Sequence, residues 1–540
     1  MTSLAALRLE RTVGRLIAPW RTANGPGTSI GVVRGGELVL HDSAGLANIE
    51  LGVAIGPATT FRIASVSKQF TCAAVLMLAA EGRLNPEDDI RRYIPAFPNL
   101  AHRITLADLM HNTSGIRDML EIMRLGGVDL GQPCTPQDLL NSVLRQRALN
   151  FPPNTRYLYS NSNFMLLGRV VEQISGEPLA AFLDRHIFVP LGMTMTRHTP
   201  TVDELVPGLA TGYLPGQNGW RRAQHRFPLH GEGGLVSSVQ DLALWHAQFG
   251  MPAQRGEALA RALATVTQFE HGRENLYACG LRIKPWRGIT TIGHDGLWPG
   301  FKSSFVRLPE HDAAVICLSN DGSSDPHDLA FQVVDALIEG APGVHPVPPM
   351  PDWSRHPSLP GRYVEPQTGT TVDIGRDLQD RITASINGVT TWLMPTEEDR
   401  LATSRGSGDF AMRLSRGGLR VERDAGVIET LHRAEPDARL PGDLPGRYGN
   451  ADTAAIWTIA ATATGAELLV AGPLLTAAGP WEIEPVHGDC IRIRTPLGSV
   501  RGWVDAKVQR DGTGRVTGLA VDGGRVKGLL FARLDDRGNG

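Results

Sequence analysis

The chain is poor in lysine, in cysteine and in long apolar runs. Only five of its 53 basic residues are lysines, so arginine carries almost all of the positive charge. The five cysteines are scattered, with no CxxC pair and no histidine spaced to complete a metal site, which predicts free buried thiols and no metal site. No run of 18 apolar residues occurs, and Arg8, Arg11 and Arg15 interrupt the apolar N-terminus, so neither a membrane span nor a signal peptide is expected.

The remaining composition is that of an ordinary globular protein. The chain has 540 residues, of which 42% are apolar and 20% charged, with a net charge of -3. A single hydrophobic core rarely grows to this size, so about two to four domains are expected. No stretch combines clustered arginines with aromatic side chains, which argues against nucleic acid or an anionic membrane as a partner. We therefore expect a small or peptide-like partner and a reducing, cytoplasmic compartment.

The first 339 residues alternate between extended and helical patterns. A hairpin over 28–42, a buried helix over 65–81 and three strands between about 285 and 320 are expected. A last helix over 325–339 follows. Strands at both ends of a mainly helical region predict an α+β domain over residues 1–339, with one antiparallel sheet flanked by helices.

The rest of the chain begins with a linker and then repeats itself. Residues 340–353 are rich in Pro and Gly, which is typical of a linker. The pentapeptide Leu-Pro-Gly-Arg-Tyr occurs at 359–363 and again at 444–448, each time followed by short alternating runs. This pattern predicts two antiparallel β-barrel domains, over 354–438 and 439–540.

The two copies of the repeat differ in length. From the tyrosine to the matching C-terminal arginine, the first copy spans 70 positions and the second 85. We place the extra length in a long loop near 487–505, because the ends of the two copies match readily. A long loop in a compact domain either serves a function, here by reaching a site elsewhere, or is a plain surface insertion.

Lys68 is the single lysine within the first 283 residues, and it follows Ser65 by three positions in an apolar context. On a helix this spacing puts the hydroxyl and the amine on one face. A buried lysine can lose its proton, unlike an arginine, and a neutral amine can deprotonate a serine hydroxyl. The start of a helix also offers N–H groups to an oxyanion. The pair therefore predicts a serine hydrolase with Ser65 as nucleophile and Lys68 as base.

Two further motifs are weak when each is taken singly. A YxN motif at 159–161 precedes an apolar helical run, where its phenol could relay a proton and its amide could hold a substrate. The same spacing at 448–450, inside the repeat, is that of a simple turn. An HxG motif at 294–296 ends an apolar strand, where the histidine can border a substrate channel or be purely structural.

In this order, SxxK, YxN and an HxG in place of the usual Lys-Thr-Gly resemble the penicillin-recognising serine hydrolases. That superfamily contains class C β-lactamases, D,D-peptidases, related esterases and D-aminopeptidases. The stretches FRIASVSKQF, LMHNTSGI and GEGGLVSSVQDLALW extend the resemblance over about residues 20–335. The histidine of HxG and the two barrels, one of them with a long loop, look specifically like the bacterial D-aminopeptidases.

The resemblance implies a role for each motif residue. Ser65 is expected to be acylated, with Lys68 as its base partner. Tyr159 would assist proton transfer to the leaving amine and from the deacylating water. Asn161 would orient the substrate, and His294 would line the site.

The resemblance also implies how the oxyanion and the substrate are held. The backbone N–H groups of Ser65 and of Leu297, which follows Gly296, would form the oxyanion hole. A loop of the last barrel would enter the site and restrict it to short substrates with a free amino terminus. On that loop Asp489 or Asp505 would meet the substrate ammonium.

The expected activity is removal of N-terminal D-residues from short peptides, amides or esters through an acyl-enzyme. No metal or cofactor is expected, β-lactams are candidate inhibitors, and a homodimer is a candidate assembly. One alternative is a β-lactamase-like esterase or D,D-peptidase. A second is a catalytically silent sensor or scaffold that acts through its barrels.

Overall fold

The chain folds into two compact units. The first comprises residues 1–97, 103–114 and 163–347, and the second comprises residues 98–102, 115–162 and 348–540. The domain borders expected at 339, 353 and 438 stay a prediction, and residues 347–353 of the expected linker lie outside the described residues. The computed structural model describes residues 3–22, 24–128, 131–201, 203–250, 255–346, 359–378, 380–397, 400–403, 410–415, 418–423, 427–435, 437–474, 478–497 and 500–534.

Most helices of the described residues are short. A 3-10 turn, Ala64–Ser67, leads directly into the helix Lys68–Ala80. Thr105 and Thr135 begin the helices Leu106–Met110 and Pro136–Leu144 with capping boxes, each closed by an aspartate three residues later. The α-helices, numbered α1 to α11 in chain order, are Ser3–Arg21, Lys68–Ala80, Leu106–Met110, Met119–Leu125, Pro136–Leu144, Asn161–Ser175, Leu179–Leu183, Val189–Leu191, Val239–Ala247, Arg255–Leu263 and Pro326–Ile338.

The first unit contains one large sheet and several short ones. Its strands, β1 to β15, are Thr28–Arg34, Glu37–Ala44, Leu46–Asn48, Val53–Ala54, Phe61–Arg62, Arg197–His198, Tyr213–Gly216, Gly219–Arg222, Leu235–Ser237, Thr267–Gln268, Glu274–Asn275, Arg282–Trp286, Ile289–Trp298, Phe301–Leu308 and Ala313–Ser319. The large sheet has the order β12-β13-β14-β15-β1-β2, with every pair antiparallel. A three-stranded sheet has the order β5-β9-β6.

The large sheet is covered by helices. Helices α1, α9 and α11 pack against its strands. All seven residues of the central strand β15 are buried, which shows that both faces of the sheet are covered. The predicted antiparallel sheet flanked by helices is therefore confirmed, including the N-terminal hairpin, the three late strands and the last helix.

The second unit contains two closed eight-stranded barrels, which confirms the prediction from the repeat. The first barrel has strands β16 to β23, which are Gly361–Val364, Thr371–Arg376, Ile382–Ile386, Val389–Glu397, Arg400–Thr403, Phe410–Ser415, Gly418–Arg423 and Val427–Arg433. The second has strands β24 to β31, which are Gly446–Asn450, Ala455–Ala461, Ala466–Ala471, Ala478–His487, Cys490–Leu497, Val500–Arg510, Val516–Asp522 and Leu529–Arg533.

The repeated pentapeptide closes each barrel in the same way. Tyr363 pairs with Arg433 across the first and last strands, and Tyr448 pairs with Arg533 in the second copy. Each arginine donates to the carbonyl of the repeat's proline at 2.7 Å. The glycines of the repeat, Gly361 and Gly446, have φ values of +151° and +152°, which residues with a side chain rarely adopt.

The long loop predicted at 487–505 is wrong. Residue 487 ends β27, 488–489 form a turn, Cys490–Leu497 is β28 and 500–505 begin β29, whereas 498–499 lie outside the described residues. Strands β28 and β29 are 8 and 11 residues long, whereas the matching β20 and β21 have 4 and 6. The alternation in Cys490–Leu497 favours strand pairing, and much of the extra length therefore extends a hairpin.

None of the helices in the described ranges is long and apolar enough to cross a membrane.

Candidate active site

Lys68 and Ser65 are in contact in the first unit. Lys68 Nζ donates to Ser65 Oγ at 3.0 Å and to the backbone carbonyl of Glu232 at 2.6 Å. The Lys68 side chain is completely buried, with its Nζ 5.2 Å from the centre of the Phe164 ring. Ser65 is only partly buried, so its hydroxyl can meet a substrate. An amine held this close to a hydroxyl in an apolar surrounding can exchange a proton with it.

The turn that carries Ser65 is held in an unusual backbone conformation. Ala64 has a φ of +46°, which a residue with a side chain adopts at a cost of about 1 kcal/mol or more. The residue before it is fixed from two sides: Ile63 N–H donates to Leu235 O at 3.1 Å, and Ser303 Oγ donates to Ile63 O at 2.8 Å. These contacts stabilise the strained turn and thereby fix the position of the Ser65 hydroxyl.

Gly296 lets strand β13 approach this turn. A Cβ at position 296 would lie 2.2 Å from Ile63 O and 2.2 Å from Ser303 Oγ, so no other residue fits without moving the backbone. Leu297, the next residue, pairs with Lys302 in the sheet and leaves 70% of its side chain exposed. The glycine of HxG therefore has a steric reason in the structure. The oxyanion role of the Ser65 and Leu297 N–H groups stays a prediction.

His294 is buried in the middle of β13 and hydrogen-bonded through both ring nitrogens. Its Nδ1 lies 2.6 Å from the carbonyl of Asp295, which can only accept, so Nδ1 carries the proton. Its Nε2 therefore accepts the Tyr277 hydroxyl at 3.0 Å. Burial, with the nearby charges of Lys68 and Arg282, lowers the pKa of His294 to about 3. His294 is thus neutral at physiological pH, and the third motif contributes no positive charge.

Tyr159 and Asn161 belong to the second unit. Asn161 is the first residue of α6, and both its backbone N–H and its side-chain amide donate to Asp118 Oδ2, at 2.7 and 2.8 Å. Asp118 is fully buried and also begins α4 by accepting the N–H of Glu121. Because Nδ2 faces the carboxylate, the Asn161 Oδ1 is left as the acceptor side of the amide.

The two aspartates expected to meet the substrate ammonium have different surroundings in the second unit. Asp489 lies in the turn between β27 and β28 and accepts hydrogen bonds from Arg510 at 2.9 Å, with 34% of its side chain exposed. Asp505 is completely buried between the two barrels, where it accepts the N–H and the hydroxyl of Thr371, both at 2.8 Å. Asp505 is therefore a structural residue, and its predicted contact with a substrate is corrected.

Sequence reasoning did not identify Glu232, Tyr277 or Asp118. Glu232 contributes through its backbone carbonyl, which any residue could supply. Tyr277 and Asp118 act through contacts with residues 17 and 43 positions away, which no local pattern indicates. Within the ranges that the structure describes, no group of three or more His, Cys, Asp or Glu side chains is arranged to hold a metal ion.

Comparison with known proteins gives consistent matches. The family model described as Beta-lactamase matches residues 11–337. The chain is 27% identical over 526 residues to a D-aminopeptidase of Brucella ovis, a match that covers 94% of this chain and 96% of that protein. A second D-aminopeptidase, from Cereibacter sphaeroides, is 27% identical over 542 residues and is matched over 95% of both chains.

Two solved structures share the fold. An octameric penicillin-binding protein homologue from Pyrococcus abyssi has a TM-score of 0.55 at 21% identity, covering 79% of this chain and 99% of that chain. The D-amino acid amidase from Ochrobactrum anthropi SV3 complexed with D-phenylalanine has a TM-score of 0.53 at 22% identity, covering 62% of this chain and 99% of that one.

Proposed function

Because this chain belongs to the Beta-lactamase family, we propose that it is a D-stereospecific serine aminopeptidase that forms an acyl-enzyme on Ser65. The resemblance to the D-aminopeptidases read from the motifs is confirmed by relatives matched over nearly the whole chain. The matches support a penicillin-recognising serine hydrolase. The observation that carries the proposal is the 3.0 Å contact between buried Lys68 and the accessible Ser65 hydroxyl.

The proposed reaction has two steps on Ser65. Lys68 acts as the base and takes the hydroxyl proton while Oγ bonds to the substrate carbonyl carbon. The resulting oxyanion would be held by the N–H groups of Ser65 and Leu297. When the C–N bond breaks, the leaving amine receives a proton through Tyr159. A water molecule, deprotonated with the help of Tyr159, then hydrolyses the ester and restores the Ser65 hydroxyl.

The state of His294 supports an aminopeptidase over a D,D-peptidase. A lysine at this position would offer a positive charge to a substrate carboxylate, whereas the neutral imidazole of His294 offers none. A substrate that bears a free amine instead of a carboxylate near this position does not need that positive charge for binding. With Asp505 occupied by Thr371, Asp489 is the acidic residue that we propose for contact with the ammonium.

The nucleophile and base are tested with D-alanine p-nitroanilide. We expect Ser65→Ala to lower kcat at least about 10³-fold. Lys68→Arg keeps the charge but cannot lose its proton, so it should lower kcat to a similar extent. Matched controls are Ser385→Ala in the first barrel and Lys284→Arg in β12, both expected to stay within about twofold of the wild type. Full activity of Ser65→Ala would refute the assignment of the nucleophile.

The substrate class is tested separately. Free D-alanine amide should be hydrolysed with a kcat/KM at least about 100-fold above that of its N-acetyl derivative or of the L-amide. An esterase or D,D-peptidase would accept the N-acetyl compound at least as well. A silent scaffold would not be labelled at Ser65 by a fluorophosphonate or a β-lactam.

We also keep a reducing, cytoplasmic location and a homodimer in the proposal. All five cysteines are free thiols, and four of them are buried. Unpaired thiols are typical of reducing compartments.

A further inference from the structure

Arg525 of the second barrel places its positive charge against the ring of Tyr159. Both residues belong to the second unit. Arg525 lies in the turn between β30 and β31. Its guanidinium carbon is 4.6 Å from the centre of the Tyr159 ring, which is the geometry of a cation–π contact. The same guanidinium lies 3.8 Å from Asp118 Oδ2, the atom that holds Asn161. One arginine of the barrel therefore contacts Tyr159 and the carboxylate that holds Asn161.

The turn that carries Arg525 is fixed along its backbone. The Arg525 N–H donates to Glu121 Oε2 at 2.7 Å, and its carbonyl accepts the side-chain amide of Asn150 at 3.0 Å. The same Asn150 accepts the N–H of Lys527 at 2.8 Å. Three hydrogen bonds to the 115–162 segment therefore hold this turn in place, although 47% of the Arg525 side chain is exposed.

A nearby cation has a chemical use at Tyr159. A phenol that passes protons must spend part of the cycle with negative charge on its oxygen, and a guanidinium against the ring stabilises that charge. Arginine stays protonated at any pH at which the protein is folded.

We propose that Arg525 is a positioning residue for Tyr159, holding the phenol in place and stabilising its charge during proton transfer. This inference rests on the proposed role of Tyr159 in the reaction of Ser65. It gives the second barrel a direct part in turnover, separate from any loop that limits the substrate.

The test uses the full chain and D-alanine p-nitroanilide. Arg525→Met, which keeps length but removes charge, should lower kcat about 10-fold and change KM less than threefold. Arg525→Lys should recover at least part of kcat, because it restores a cation. The matched control is Arg515→Met, in the exposed turn between β29 and β30, which should match the wild type. Equal kcat in Arg525→Met and the wild type would overturn the inference.

A double-mutant cycle separates a direct role from a general loss of stability. In the Tyr159→Phe background, Arg525→Met should lower kcat less than twofold, because the hydroxyl through which Arg525 acts is gone. A further 10-fold loss in that background would show that Arg525 acts elsewhere, and would overturn the inference while leaving the proposed function intact. A wild-type chain that neither hydrolyses the substrate nor accepts a fluorophosphonate at Ser65 would overturn both.

Discussion

The two barrels are closed by the same tyrosine and arginine, but their interiors are completed differently. The core of the first barrel is a cluster of its own residues, from Leu359 to Leu431. The core of the second includes Ile122 and Leu125 of α4, which come from more than 300 residues earlier in the chain. The second barrel thus packs against helix α4 through its core.

Val372 of the first barrel and Trp457 of the second occupy equivalent positions and show how the two interiors differ. Both residues follow the repeat tyrosine by nine positions and pair with it across the first two strands. Val372 fills the first barrel, whereas Trp457 stacks on Phe531 and donates its indole N–H to Leu125 O at 2.9 Å. The larger side chain reaches out of its barrel to a backbone carbonyl of α4. Since Asp118, which holds Asn161, caps the start of α4, the second barrel also supports the YxN motif.

The largest expected loss in the free energy of unfolding comes from substitutions at Trp457 and Val372. Trp457→Ala should lower the free energy of unfolding by about 5 kcal/mol, because it leaves a large cavity and removes the donor to Leu125 O. Val372→Ala should cost about 2 kcal/mol, because it removes two methyl groups from an otherwise self-contained core. Urea unfolding followed by far-UV circular dichroism measures both. Equal losses would mean that the two barrels are energetically equivalent.

A buried ion pair gives the second comparison. Arg117 donates to Asp452 at 2.9 Å, and both side chains are at least 94% buried. The matching position of the first barrel is Gln367, which is exposed. Asp452→Asn should cost about 3 kcal/mol, since it leaves a buried arginine without its counter-charge. Gln367→Ala should change stability by less than about 0.5 kcal/mol. A loss below 1 kcal/mol for Asp452→Asn would contradict the supporting role of the pair.

The sequence indicates the parts of this molecule that depend on local order. Ser65 and Lys68 are three residues apart on one turn, so their contact follows from helix geometry. The two barrels could be predicted because the closing pentapeptide is repeated and because alternating apolar and polar side chains are typical of strands. The large sheet follows in the same way from apolar runs at both ends of a helical region.

The contacts that depend on distant residues could not be predicted. Trp457 and Leu125 are 332 positions apart, and Arg117 and Asp452 are 335 apart. No period or motif connects such residues, because only the folded chain brings them together. The error at 487–505 has a different origin: extra length was read as a loop, although alternation in Cys490–Leu497 carried a signal for longer strands.

Asp505, at the interface between the two barrels, gives a smaller contribution to the free energy of unfolding that depends on pH. Burial raises the pKa of Asp505 to about 7, although Arg492 and Thr371 oppose that rise. The folded state therefore binds a proton between about pH 4 and 7 that the unfolded state releases, so the stabilisation is present at low pH and lost as the pH rises through 7. Relative to Asp505→Asn, the wild type should gain about 2 kcal/mol between pH 7 and 5. Urea unfolding at both pH values measures this, with the exposed Glu467→Gln as control. A pH-independent difference between wild type and Asp505→Asn would contradict it.

The smallest expected change in stability concerns the turn between β27 and β28 of the second barrel, which carries Asp489. Asp489 and Asp443 both pair with Arg510 at the surface, and exposed ion pairs contribute less than about 1 kcal/mol. Asp489→Asn and Asp443→Asn should therefore be almost equally stable. Because so weak a pair can yield to a substrate ammonium, Asp489→Asn should raise KM for D-alanine amide about 10-fold, whereas Asp443→Asn should not. Identical KM values for the two variants would exclude Asp489 as the ammonium contact.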